Sequence, residues 1–215
     1  MKLLGSFGST LDPQQSTTTI PPGDYTNTWF DSHIRYWETL TEWAAEQRKD
    51  HGGLRFLEIG VFDGRSAAWV MKNLFDPADI GMTLVDPWGP GPEWEHIYQR
   101  AIKNVNVLGL VLPKVMRMSS WTFWQDHSDK VAPNGYDFIY VDGSHKANDV
   151  EVDILAAWGR LRPGGIILAD DYYNPGTPGE ERSEVEKGLM GVHQKKGWVW
   201  PPARFGIDVL YQRVD

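Results

Sequence analysis

The sequence predicts one α/β domain built on a doubly wound, mostly parallel, seven-stranded sheet. Three observations predict it. Short apolar runs such as YDFIYVD (136–142) and GIILAD (165–170) are too unbroken for strands with one face in water. Segments of about 10–15 residues with helical spacing separate most of these runs, as βαβ units require. The length, 215 residues, is about 1.4 times a typical ~150-residue domain, with no internal repeat and no second-domain linker.

Taken in order, residues 1–23 lack apolar periodicity and are rich in Ser, Thr, Gln, Pro and Gly, which reads as a flexible tail ahead of a domain over 24–215. Phe30, Ile34, Trp37, Leu40 and Ala44 recur at helical spacing, with Asp31 as cap and Gly52-Gly53 as stop. LRFLEIG (54–60) is a strand and Ser66 to Leu74 a short helix with Ala67, Val70, Met71 and Leu74 inward. GMTLVD (81–86) is a strand, Glu93 to Val107 a helix, and LPKVMRM (112–118) a strand. YDFIYVD follows, then a helix from Ala147 to Leu161 ended by Pro163-Gly164-Gly165, then GIILAD. A helix over Glu180 to Gln194 and two weaker strands, near Gly197–Trp200 and Ile207–Gln212, complete the chain.

Composition narrows the function. The 21 Lys and Arg against 29 Asp and Glu leave a net charge of −8 and a pI near 5.2. No basic run interrupts that excess, which argues against nucleic acid and anionic membrane surfaces as partners. Cys is absent, excluding disulfides, thiolate metal sites and Cys nucleophiles. No apolar stretch approaches the ~20 residues of a bilayer span, and Leu3-Leu4 is too short for a secretory signal. The expectation is a soluble cytoplasmic protein whose partner is a small molecule; a homo-oligomer is compatible with the sequence. The 11 Trp, 8 Tyr and 8 Phe supply core and also material for a ring-lined pocket.

In an open α/β sheet, ligands bind beyond the carboxyl ends of the strands. The residues there are Glu58 to Ser66, Asp86-Pro87-Trp88, Ser119-Ser120-Trp121, Asp142 to His145, and Asp170 to Tyr173. Gly60 and Gly64 allow backbone close to a ligand, and the next helix offers free N–H groups to a carboxylate or phosphate. The Glu58-x-Gly60-x-x-x-Gly64 spacing departs from the G-x-G-x-x-G dinucleotide fingerprint, which disfavours a nicotinamide oxidoreductase. Asp86, about 20 residues beyond the glycine turn, can accept from both ribose hydroxyls; a plain turn before Pro87 is the alternative. Together the two features point to an adenosine-type ligand.

The ordered set FLEIGVFDGRS, TLVDPW, YDFIYVDGSH and LRPGGIILADDY resembles the class I S-adenosylmethionine-dependent methyltransferases. Within them it is most similar to the small-molecule O-methyltransferase branch of the catechol and macrolide-sugar enzymes. The resemblance covers roughly residues 30–212 and implies the Rossmann-like methyltransferase fold. It implies that Glu58, Gly60 and Gly64, with Asp63 and Ser66 in the same turn, line the methionine end of S-adenosyl-L-methionine. It also implies that Asp86 holds the ribose, that Ser120 and Trp121 flank the adenine, and that Asp142 touches the cofactor. Relatives often carry an acid just before that serine, where this chain has Ser119.

Asp142, Asp170 and Asp171 crowd two neighbouring strand ends, and like charges so placed call for a cation. An all-oxygen set suits Mg²⁺, and the metal-dependent relatives place acids at the same strand ends; turn and capping residues are the alternative reading for Asp170-Asp171. His145 matches the family's general-base position, with Lys146 beside it, and a neutral imidazole can take a hydroxyl proton; the alternative is a cap on the helix at Ala147. The expected reaction is methyl transfer to a hydroxyl of a small metabolite with vicinal oxygens, a catechol or a sugar diol. Trp88, Trp94, Tyr172 and Tyr173 are expected to border the acceptor, and the 174–180 stretch to gate it or to be a surface loop. A metal-independent methyltransferase and a non-catalytic binding module are the rival readings.

Overall fold

The computed structural model describes residues 17–172 and 183–214. Its sheet contains β1 Arg55–Ile59, β2 Gly81–Val85, β3 Lys114–Met116, β4 Tyr136–Val141, β5 Leu161–Ala169, β6 Ala203–Phe205 and β7 Asp208–Gln212, in the order β3-β2-β1-β4-β5-β7-β6. The first five strands are parallel; β7 runs antiparallel to β5 and β6 antiparallel to β7. The expected doubly wound, seven-stranded α/β fold is the one observed.

The helices are α1 Ile34–Trp37, α2 Leu40–His51, α3 Arg65–Asn73, α4 Pro92–Asn106, α5 Ser120–Thr122, α6 Ser128–Val131, α7 Ala147–Arg160 and α8 Glu184–Lys196. Strand alternation sorts the core into two layers. Phe56, Phe138, Tyr140, Ile166 and Leu168 pack with Trp37, Trp43, Trp69 and Val105 from α1 to α4. Their neighbours Leu57, Ile59, Ile139, Val141 and Ile167 pack with Ile154 of α7 and Leu189 of α8. Unbroken apolar strands follow from this, since both faces are covered.

Four details differ from the sequence reading. The helix expected from Phe30 to Ala44 is broken into a 3-10 turn, Trp29–Ser32, then α1, then α2. Asp31 caps nothing: its carboxylate takes the Arg65 guanidinium at 2.7 and 2.9 Å. The Pro163-Gly164-Gly165 stretch lies inside β5, as an irregularity in its pairing with β4. The weak strand near Gly197–Trp200 does not form; Trp198 and Trp200 instead pack on the α7–α8 layer, and β6 starts at Ala203. Apolar aromatics satisfy a strand pattern and a packed turn equally well, and only tertiary contact separates them.

α2 ends as expected, on Gly52 in the left-handed region. α8 starts at Glu184, where the Ser183 hydroxyl accepts from Glu186 N at 3.0 Å; the expected start at Glu180 lies outside the described residues. So do residues 1–16 of the expected tail. Residues 17–23 run beside α3, where Thr19 bonds Lys72 and Asn73. None of the described helices is long and apolar enough to cross a membrane.

Candidate active site

The carboxyl ends of β1 to β5 open into one cleft of about 1020 Å³. Its floor begins at Gly60, whose φ is +86°. A Cβ there would stand 1.8 Å from the Asp142 carbonyl oxygen, so only glycine lets the β1 turn pass the end of β4. Gly64, at φ +78°, precedes the first residue of α3 and points that helix's free N–H groups toward the turn.

Asp86 fastens this turn. Its Oδ2 accepts from Val61 N at 2.9 Å and Phe62 N at 3.0 Å, and its Oδ1 from Trp88 N at 2.7 Å. Three of a carboxylate's roughly four acceptor positions are thus used before any ribose arrives. Trp88 returns an indole N–H to the Phe62 carbonyl at 2.7 Å, and Phe62 and Trp88 both hold positive φ. Glu58 is fully buried and accepts from the Ser66 hydroxyl. Burial pushes its carboxyl well above the usual range, and its Oε2 has no partner. An unsatisfied buried acceptor beside the glycine turn suits a cationic amine such as that of a methionine group.

On the far wall, Ser119 caps α5 by accepting from Thr122 N at 3.2 Å. Ser120 and a half-exposed Trp121 border the cleft, and a π-helical turn, Phe123–His127, follows. Beneath them Asp153 of α7 accepts from Trp124 Nε1 at 2.9 Å and from Ser120. Burial raises its pKa to about 6.

The acids occupy the other half of the cleft in two linked groups. Asp142, His145 and Asp171 bring one ligand atom each within 4.8 Å of one another, and His33, Asp170 and Asp208 do the same. Tyr140 joins the groups: its hydroxyl donates to Asp170 Oδ2 at 2.9 Å and lies 3.4 Å from Asp142 Oδ2. Asp171, at φ +59°, turns back so that its carboxylate meets His145 Nε2 at 2.8 Å, while Asp142 Oδ1 is 3.9 Å away. The carboxylates of Asp142 and Asp171 raise the His145 pKa to about 10. Burial first, and neighbouring carboxylates second, push Asp142 and Asp170 upward. The two facing carboxylates favour the protonated ring over the expected neutral imidazole.

Asp142, Asp171 and His145 form a mixed carboxylate and imidazole set that fits a divalent cation, with Asp170 one step away across the Tyr140 hydroxyl. The acids expected to act as one trio border the same cleft but are divided: Asp142 and Asp171 gather on His145, while Asp170 belongs to a second, more deeply buried group with His33 and Asp208.

Residues 57–172 match the family described as a methyltransferase domain. The chain belongs to that family. The resemblance read from its motifs is borne out, and the matched span contains every expected site residue from Glu58 to Asp171. The methyltransferase is also 29% identical over 182 residues to the uncharacterized protein R132 of Acanthamoeba polyphaga mimivirus, covering 85% of this chain and 76% of that one. Solved structures share its fold. The O-methyltransferase TomG from Streptomyces achromogenes, in complex with SAM, is 20% identical at a TM-score of 0.56, covering 80% and 77% of the two chains. The O-methyltransferase NovP is 14% identical at 0.60, covering 85% and 81%. The O-methyltransferase from Bacillus cereus, in complex with SAH, is 16% identical at 0.52, covering 82% and 71%.

Of the expected site residues, all border the cleft of the methyltransferase except Glu58 and Gly64, which stand behind its wall. Asp63 borders it too, but its carboxylate is turned to Thr26, accepting from the backbone N at 2.6 Å and the hydroxyl at 2.7 Å. Trp94 reaches the cleft; Trp88 does so from a buried position against Tyr98. Tyr172 packs on Trp200 instead, and Tyr173 and the 174–180 stretch lie outside the described residues. Sequence reasoning missed the N-terminal wall, where Asn27, Trp29, Ser32 and His33 line the cleft, and also Tyr140 and Ile207. One signal was available for His33, a polar residue inside the Phe30–Ile34–Trp37 apolar stripe.

Proposed function

We propose that this methyltransferase moves a methyl group from S-adenosyl-L-methionine to a hydroxyl of a small metabolite bearing neighbouring oxygens, a catechol or a sugar diol. One observation carries the reading: a single cleft joins the glycine turn at Gly60 to the Asp142, Asp170 and Asp171 acids. The names of TomG and NovP as O-methyltransferases support the acceptor class.

In this reading Gly60, Gly64, Ser66 and Glu58 receive the methionine end, with Asp63 bracing the turn. Asp86 accepts from the ribose through its remaining lone pair, Ser120 and Trp121 flank the adenine, and Asp142 faces the junction of cofactor and acceptor. Asp142, Asp170 and Asp171 would hold Mg²⁺, which when bound supplies positive charge near a developing alkoxide. His145 is placed to take the acceptor's proton at Nε2 once its carboxylate partners are engaged elsewhere. The chain's remaining task is positioning, holding the acceptor oxygen ~3–3.5 Å from the methyl carbon.

A second reading keeps the enzyme and omits the metal. It is favoured by His145 itself, whose protonated ring already balances Asp142 and Asp171.

The test is transfer of labelled methyl from the cofactor to a catechol and glycoside panel, with and without chelator. The metal-assisted reading expects activity to fall at least ~100-fold on chelation and in Asp171→Ala, in line with loss of several kcal/mol of charge stabilisation. Activity indifferent to both selects the metal-free reading. Calorimetric titration with S-adenosylhomocysteine and with nicotinamide cofactors checks the cofactor class.

A further inference from the structure

We infer that His33 and Asp208 are positioning residues for Asp170, holding its carboxylate at the Tyr140 hydroxyl, beside the Asp142 and Asp171 carboxylates of the proposed cation site. The inference rests on the metal-assisted reading above and adds two residues outside the span that matches the family.

Asp170 follows β5 in an unfavourable place, between the carboxylates of Asp142 and Asp208. Its Oδ1 accepts from Asp171 N at 2.7 Å and its Oδ2 from the Tyr140 hydroxyl at 2.9 Å. His33 Nε2 stands 3.6 Å from the same Oδ2, within ion-pair range but too long for a direct hydrogen bond. The other ring nitrogen, Nδ1, lies 3.2 Å from Asp208 Oδ2. That oxygen also accepts from Trp37 Nε1 at 2.9 Å. A line therefore runs from the Trp37 indole through Asp208 and His33 to Asp170.

The links behind Asp170 are held by burial and ring packing. Asp208, His33 and Trp37 are buried. Phe30 lies parallel to the His33 ring at 5.4 Å, and Trp37 meets the Tyr140 ring edge-on at 4.8 Å. The line also ties three parts of the chain together, the N-terminal helix α1, the start of β7 and the end of β5. Outer partners of this kind fix the orientation of ligating side chains, and their loss typically weakens metal affinity 10–100-fold. An ordinary structural tether would lower stability and leave cation affinity alone, so affinity is the readout that discriminates.

The experiment titrates Mn²⁺ into the full-length protein by calorimetry, with and without saturating S-adenosylhomocysteine. Wild type is compared with His33→Gln and Asp208→Asn, each shown to be folded by circular dichroism at the titration temperature. The expected result is a 10–100-fold weaker Mn²⁺ Kd in both variants, with the S-adenosylhomocysteine Kd unchanged in Asp208→Asn, whose side chain does not line the cleft. Trp37→Phe removes the indole donor and keeps a ring in the core; a loss of about fivefold there reads the same line should either variant fail to fold. Wild-type Mn²⁺ affinity in the folded variants overturns the positioning role while leaving the metal reading intact. Failure of wild type to bind Mn²⁺ overturns the metal reading, and this inference with it.

Discussion

Gly60 is the residue whose identity the fold constrains most tightly. Alanine there meets the Asp142 carbonyl at 1.8 Å and must also hold φ +86°. Overpacking of this kind costs about 1–3 kcal/mol, or roughly 2–4 °C of Tm per kcal/mol at this size. Gly60→Ala is expected to melt several degrees lower and to lose measurable S-adenosylhomocysteine binding; calorimetric scanning and titration check both. The glycine and Asp86 were legible because backbone geometry and strand-end position are local properties of the sequence. That Asp86 also serves Val61 and Phe62 was not, since those donors become its neighbours only when β1 and β2 pair. His145 shows the same limit: its place beside Asp142 is local, whereas its 2.8 Å contact with Asp171 arises from a left-handed residue at the end of another strand.

At the scale of elements, β1, β2, β4 and β5 declared themselves through unbroken apolar runs, and α3, α4 and α7 through their periodicity. The breaks in the N-terminal helix did not, because its apolar residues keep helical spacing through them, and the π turn at Phe123–His127 carried no periodic signal. That π turn and α7 enclose Asp153, whose Oδ1 takes the Trp124 indole N–H. Its folded pKa, about 6, stands above the unfolded value of 3.8. Between those values the folded chain keeps a proton that the unfolded chain releases, so stability falls as pH rises and levels off above pH 6. In urea unfolding from pH 4 to pH 7, wild type should lose up to about 3 kcal/mol relative to Asp153→Asn. Parallel pH profiles of the two proteins would refute this.

Across the whole molecule, the segment before α1 is not a bystander to the sheet. Thr26 bonds Asp63, Asp24 and Arg100 pair at 3.1 Å, and Asn104 reaches both the Asp24 and Asp63 carbonyls at 2.9 Å. These contacts hold Asn27 to His33 over the cleft. Asp63→Ala removes the two Thr26 bonds to a carboxylate, which contribute about 2 kcal/mol between them. Amide exchange over residues 24–33 is expected to quicken, with β4 and β5 amides unchanged; equal exchange in both proteins would mean that the segment is held without Asp63. Exposed ion pairs such as Arg65 with Asp31 add little, because water screens them.

By itself the sequence determined the layered α/β architecture, the strand order of chemistry along one rim, and the family of the fold. The first two follow from local periodicity and from glycines and acids at strand ends, which need no knowledge of distant residues; the family follows from the resemblance of the ordered motifs. Only the tertiary structure decided which acids share a neighbour: it set Asp142 with Asp171 around His145, and Asp170 with Asp208 around His33. Such groupings join residues up to 175 positions apart, and no spacing rule reaches across that separation, because it is packing of the N-terminal helix on β7 that creates the contact.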